Sequence, residues 1–109
     1  MEIILEKYDT KEVYTSTTFY YEDGKVELFL HDFGKNVESF FGEDEYEAWH
    51  RLNEIDSEKF MKHLDLLNKT ESEAKTILKE KLCREGGAVN NFLKICASLG
   101  LKIDSNSWV

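Results

Sequence analysis

A chain of 109 residues with 41% hydrophobic and 13% aromatic content and no proline is long enough for one hydrophobic core and too apolar for a disordered segment. Its start, MEIILEKYD, lacks the basic region and apolar stretch of a secretory signal, and no run approaches the roughly 18 apolar residues of a membrane span. A net charge of −8 disfavours a nucleic-acid ligand, whose phosphates demand a basic surface.

The expectation is therefore a single globular domain, residues 1–109, that stays in the cytoplasm with Cys83 and Cys96 as free, buried thiols. Residues 2–8 carry Ile3, Ile4 and Leu5 between polar ends and read as a short strand. Val13–Tyr21, VYTSTTFYY, is β-branched and aromatic, which suits a pleated surface. Asp23-Gly24 follows, a strong two-residue hairpin signal. Lys25–His31 then alternates, with Val26, Leu28 and Leu30 on one face and Glu27, Phe29 and His31 on the other.

Residues 45–52 admit two periods. As a strand, Tyr46, Ala48, His50 and Leu52 share one face, and Glu45, Glu47, Trp49 and Arg51 the other. As a helix, Tyr46, Trp49, His50 and Asn53 form a stripe. The strand is preferred, because Asp56-Ser57 supplies a separate helix start directly afterwards.

Three helices are predicted next. Phe60, Leu64 and Leu67 give residues 57–68 an apolar face. Thr70 with Glu73 forms a capping box for a second helix, whose core side is Ala74, Ile77, Leu78 and Leu82 and which Gly86-Gly87 ends. Val89, Phe92, Cys96 and Leu99 stripe a third, with Gly100 at the glycine position past its end. The tail, with Leu101 and Ile103 in alternation, reads as a buried last strand. The fold class is α+β: an N-terminal antiparallel β-meander of about four strands, three helices on one face, and a short C-terminal strand.

The acidity is local. Residues 38–58 hold eight acids against Arg51, a net of −7, and the remaining fourteen acids and thirteen bases nearly cancel. Chemistry is sparse by contrast. His31, His50 and His63 are scattered, and the cysteines match no zinc spacing. No nucleophile elbow occurs, Asp32-Phe33-Gly34 lacks the other kinase motifs, and Gly86-Gly87 alone makes no phosphate loop. Lys75, Lys79, Lys81 and Arg84 alternate with Glu71, Glu73 and Glu80 and read as a solvated helix face. No catalytic residue, metal ligand or cofactor is assigned. Acid–base catalysis by Glu43, Asp44, Glu45 and Glu47 would need a pocket that shifts a pKa.

The stretch FFGEDEYEAWH, residues 40–50, is the candidate site. Glu43, Asp44, Glu45, Tyr46, Glu47 and Trp49 combine aromatic anchors with charge that steers a basic protein partner. In the competing reading Phe40, Phe41 and Trp49 fill core and the acids only solubilise a loop.

The segment from Asp32 to Glu47 resembles a family of small, largely uncharacterised bacterial α+β proteins. The resemblance is carried by Asp32-x-Gly34, Val37-Glu38-x-Phe40-Phe41-Gly42 and Glu45-Tyr46-Glu47. It implies a hairpin before the motif and, after it, a strand over 45–52, helices and an aromatic-rich C-terminal strand; here only Trp108 is aromatic in the tail. It implies no catalytic residues. Size, acidity and the absence of catalytic motifs are also similar to immunity proteins of bacterial toxin systems, cytosolic inhibitors whose acidic surfaces plug basic nuclease toxins.

The reading is a cytoplasmic, non-enzymatic, acidic protein-binding module, an immunity protein for a cognate toxin domain, with neither nucleic acid nor membrane as partner. The alternative is a homodimer or assembly protein that uses its aromatics for self-association. An enzyme with an unrecognised carboxylate site is the third reading.

Overall fold

Asp23 and Gly24 take φ of +51° and +75°, the paired left-handed conformation that matches a two-residue turn to the twist of its strands. In the computed structural model, which describes residues 1–9, 13–34 and 45–108, this turn joins β2 (Val13–Glu22) to β3 (Lys25–Gly34). With β1 (Glu2–Asp9), β4 (Glu45–Arg51) and β5 (Asp104–Trp108) they form a five-stranded sheet in the order β1-β2-β3-β4-β5, antiparallel at each pairing. Residues 45–51 are thus a strand, as their period-2 pattern predicts.

Three helices, α1 (Glu54–His63), α2 (Glu71–Leu82) and α3 (Ala88–Ser98), lie between β4 and β5 in the chain and pack on one sheet face. Ile3, Phe19 and Leu28, opposite one another across β1, β2 and β3, point into that layer and are buried. Phe60 on α1 bridges the layers, with ring centroids 6.2 Å from Phe19 and 5.1 Å from Phe92 of α3. Burying each such ring contributes roughly 1.5–3 kcal/mol.

The helix ends follow local chemistry. The Thr70 hydroxyl accepts from Glu73 N–H at 3.1 Å, and Glu73 accepts from Thr70 N–H at 3.0 Å, the reciprocal capping box expected for α2. Past α3, Gly100 takes φ +69°, Gly100 N–H donates to Ala97 O and Leu101 N–H to Cys96 O. These two bonds define a Schellman end.

The first helix departs from the predicted 57–68. Asn53 is its cap, accepting from Asp56 N–H at 2.8 Å, so the helix starts three residues earlier. It also stops earlier: Asp65 turns to φ +55°, and Leu66 N–H donates to Met61 O. That turn buries Leu66 and leaves Leu67, the expected core residue, half-buried. β5 departs as well. It is an edge strand with residues 104–107 exposed, and the buried residue of the tail, Leu101, precedes it.

Candidate protein-binding face

Residues opposite one another in an antiparallel pair point to the same side, so register assigns the sheet face away from α1–α3. One row runs Ile4, Thr18, Phe29, Trp49 and Asn106 across all five strands. The next row includes Lys7, Ser16, His31 and Glu47, and beyond it lie Asp9, Tyr14 and Phe33. On the other flank stand Glu2, Tyr20, Glu27, Arg51 and Asp104.

This face is aromatic at its centre. Phe29 lies 6.1 Å from Trp49 and 6.1 Å from His31 between centroids, and His31 lies 6.0 Å from Tyr14 in an edge contact. Ile4 and Phe33 are nearly half-exposed, at 47% and 46%, while Ser16 and Thr18 on β2 between them are buried. The Arg51 guanidinium sits 5.4 Å from the Trp49 ring and its Nε donates to Glu27, while Lys7 lies 5.8 Å from the Tyr14 ring. Both bases are held against aromatic faces, where they add cation–π attraction.

The rim is acidic. Among the described residues Glu2, Asp9, Glu22, Glu27, Glu47 and Asp104 share the face with Lys7, Lys25 and Arg51, so acids outnumber bases by six to three. The field is felt by Tyr20: burial, then a hydrogen bond with Glu2 and the charges of Glu2 and Glu27, raises its hydroxyl above the ordinary 10.0. Trp49 Nε1–H is buried and has no hydrogen-bond partner among the described residues, an uncompensated desolvation at the centre of the face.

Of the six predicted contact residues, Tyr46, Glu47 and Trp49 divide between the two faces of the sheet. Glu47 and Trp49 stand on the aromatic face, two residues apart on β4. Tyr46, paired with Asp32, points to the opposite side, near Thr15, whose hydroxyl donates to Asp32 at 2.6 Å. Glu45 heads β4 opposite Phe33. Glu43 and Asp44 lie outside the described residues, as do Phe40 and Phe41.

Sequence reasoning missed Tyr14, Tyr20 and Phe33 as members of this face. It did group Phe29 and His31 with Glu27 by alternation; the cross-strand register that sets them beside Trp49 is non-local. Among the described residues no three His, Cys, Asp or Glu side chains gather as a metal site, and no helix is long and apolar enough to cross a membrane. No protein-family model, curated protein or solved structure matches the chain.

Proposed function

We propose that this chain is a non-enzymatic, acidic protein-binding module acting in the cytoplasm, and specifically an immunity protein that occludes a bacterial toxin domain with a basic surface. The observation that supports it is the aromatic row centred on Phe29 and Trp49, with Glu27 and Glu47 on the same face. Interfaces concentrate their affinity in buried aromatic anchors, and rim charges set the encounter rate. An acidic rim around aromatic anchors suits a partner whose own site binds phosphates.

The test is co-expression with the toxin domain encoded beside this gene. Growth should be restored by the wild-type chain and lost with Trp49→Ala together with Glu47→Lys, provided the double variant remains folded. Absence of a toxin domain from the neighbourhood, or rescue by the double variant, sinks the immunity reading.

The rival occupant is a second copy of the chain. β5, exposed at the sheet edge, is where strand pairing would extend the sheet across two protomers. Mass that rises with concentration, abolished by Asn106→Pro, would favour this reading over the first.

A further inference from the structure

The helical layer carries a second feature of opposite sign. His63 at the end of α1, Lys81 and Arg84 at the end of α2, and Lys94 on α3 line one depression of about 460 Å³. An adjoining depression of about 530 Å³ shares Arg84, Asn91 and Lys94 and adds Gly86 and Glu85, the one acid in either lining. The sequence presents Lys81 and Arg84 as an alternating, solvated helix face. Folding brings them to Lys94, a residue with no acid three or four positions away on its own helix.

Glu80 and Glu85 stand four positions from Arg84 and Lys81 in the chain, but neither is in ion-pair contact with these cations. Lys62, Lys69 and Arg51 each form an ion pair, whereas Lys81, Arg84 and Lys94 form none among the described residues. Gathering like charges around one concavity costs repulsion, yet this chain of net charge −8 does so. The backbone beneath them is fixed: Asn91 Nδ2 donates to Leu82 O at 2.8 Å, with longer contacts to Arg84 O and Glu85 O. That fastening holds the backbone after α2 to α3, and so keeps the Arg84 and Lys94 positions on the rim of one depression.

We infer that this depression binds a small oxyanion of the phosphate class. The guanidinium of Arg84 offers a planar fork for two oxygens, Lys81 and Lys94 supply point charges, and His63 adds a ring N–H. The adjoining depression leaves room for a second phosphate group beside the first. The site lies on the far side of the sheet from Trp49, so its occupancy and docking on the aromatic face are separable.

The experiment is a titration of the labelled chain with inorganic phosphate, and separately with pyrophosphate, followed by NMR at ionic strength held constant with sodium chloride. Resonances of His63, Lys81, Arg84, Gly86 and Lys94 should move together and saturate, while chloride alone moves none of them. Arg84→Gln with Lys94→Gln should weaken binding roughly tenfold or more, the factor set by losing charge-assisted hydrogen bonds. The charge-matched control Lys59→Gln with Lys75→Gln should leave it unchanged. Tighter binding of pyrophosphate places two phosphate groups across both depressions, and equal binding places one. No saturable shift, shifts centred elsewhere, or equal loss in the control overturns the site.

Discussion

The Glu6 carboxylate on β1 accepts a hydrogen bond of 3.2 Å from the Ala88 backbone N–H, joining residues 82 positions apart in the chain. Ala88 opens α3, and the residue before it, Gly87 at φ +88°, has no side chain with which to cap the helix. A strand residue therefore supplies the anion that the helix N-terminus attracts. Glu6→Ala should lower stability by about 0.5–2 kcal/mol, the range for losing an N-terminal cap. Glu6→Gln keeps an acceptor and should lose less. Urea unfolding that ranks the two variants with wild type as equals contradicts the cap.

Ser57 fastens α1 to the sheet. It is fully buried, accepts from Val26 N–H at 2.8 Å, and donates to Leu52 O at 3.2 Å. Ser57→Ala strands a buried N–H, so the urea midpoint should fall by the equivalent of about 1–3 kcal/mol with an unchanged m-value. An unchanged midpoint would show that water replaces the hydroxyl.

The same serine explains where the sequence misleads. Asp56-Ser57 has the composition of a helix start, and so does Asn53; which one caps depends on the chain direction out of β4, a non-local fact. Signals closed within four residues are legible: Asp23-Gly24, the Thr70 and Glu73 box, Gly100. The alternation in β3 and β4 likewise assigns each residue to a face. What alternation cannot supply is register. Tyr46 and Trp49, three residues apart, stand on opposite faces as alternation predicts, whereas Tyr14 and His31 meet only because β2 pairs with β3.

The cysteines differ in environment. Cys96 is fully buried under Phe92 and burial, with Asp56 adding, pushes its thiol up to about 12. Cys83 is half-buried, its Sγ 3.4 Å from Leu5 O, and its thiol is raised by burial and then by the Glu6 charge, with Lys79 opposing. Since the thiolate is the reactive form, an alkylating reagent at mildly alkaline pH should modify Cys83 slowly and Cys96 only on unfolding. Glu6→Gln should speed the Cys83 reaction. Labelling of Cys96 at the rate of Cys83 in the native protein would refute the assignment.

His50 gives the fold a pH dependence. It lies on the helix-side face of β4, its Nδ1 and Ser105 Oγ share a 2.6 Å hydrogen bond, and burial lowers its pKa below 6.5. The unfolded chain then binds this proton more readily than the native one. Stability is full above the unfolded value of 6.5 and declines as the pH falls below it, because protonation pulls the equilibrium toward the unfolded state. His50→Gln should flatten this part of the stability curve. A variant curve parallel to that of wild type assigns the slope to other groups.

Trp49 is where stability and binding part. Its ring rests on Phe29 and under Arg51, yet its buried Nε1–H has no partner among the described residues. Trp49→Phe removes that donor while keeping an aromatic ring on the row, so its stability should stay within about 1 kcal/mol of wild type. Trp49→Ala removes the ring contacts as well and should lose more, about 1–3 kcal/mol for a half-buried aromatic. Against a partner with a basic surface the two kinds of residue act on different rates. Loss of the anchor should raise the off-rate, in Trp49→Ala above Trp49→Phe. Glu47→Gln with Asp104→Asn should instead slow association at low salt, an effect that fades as the Debye length shortens to about 8 Å at physiological ionic strength. Surface plasmon resonance at two salt concentrations separates them. If neutralising the rim leaves the on-rate and its salt dependence as they were, the acids serve solubility alone, and the aromatic row must be assigned to a partner chosen by shape.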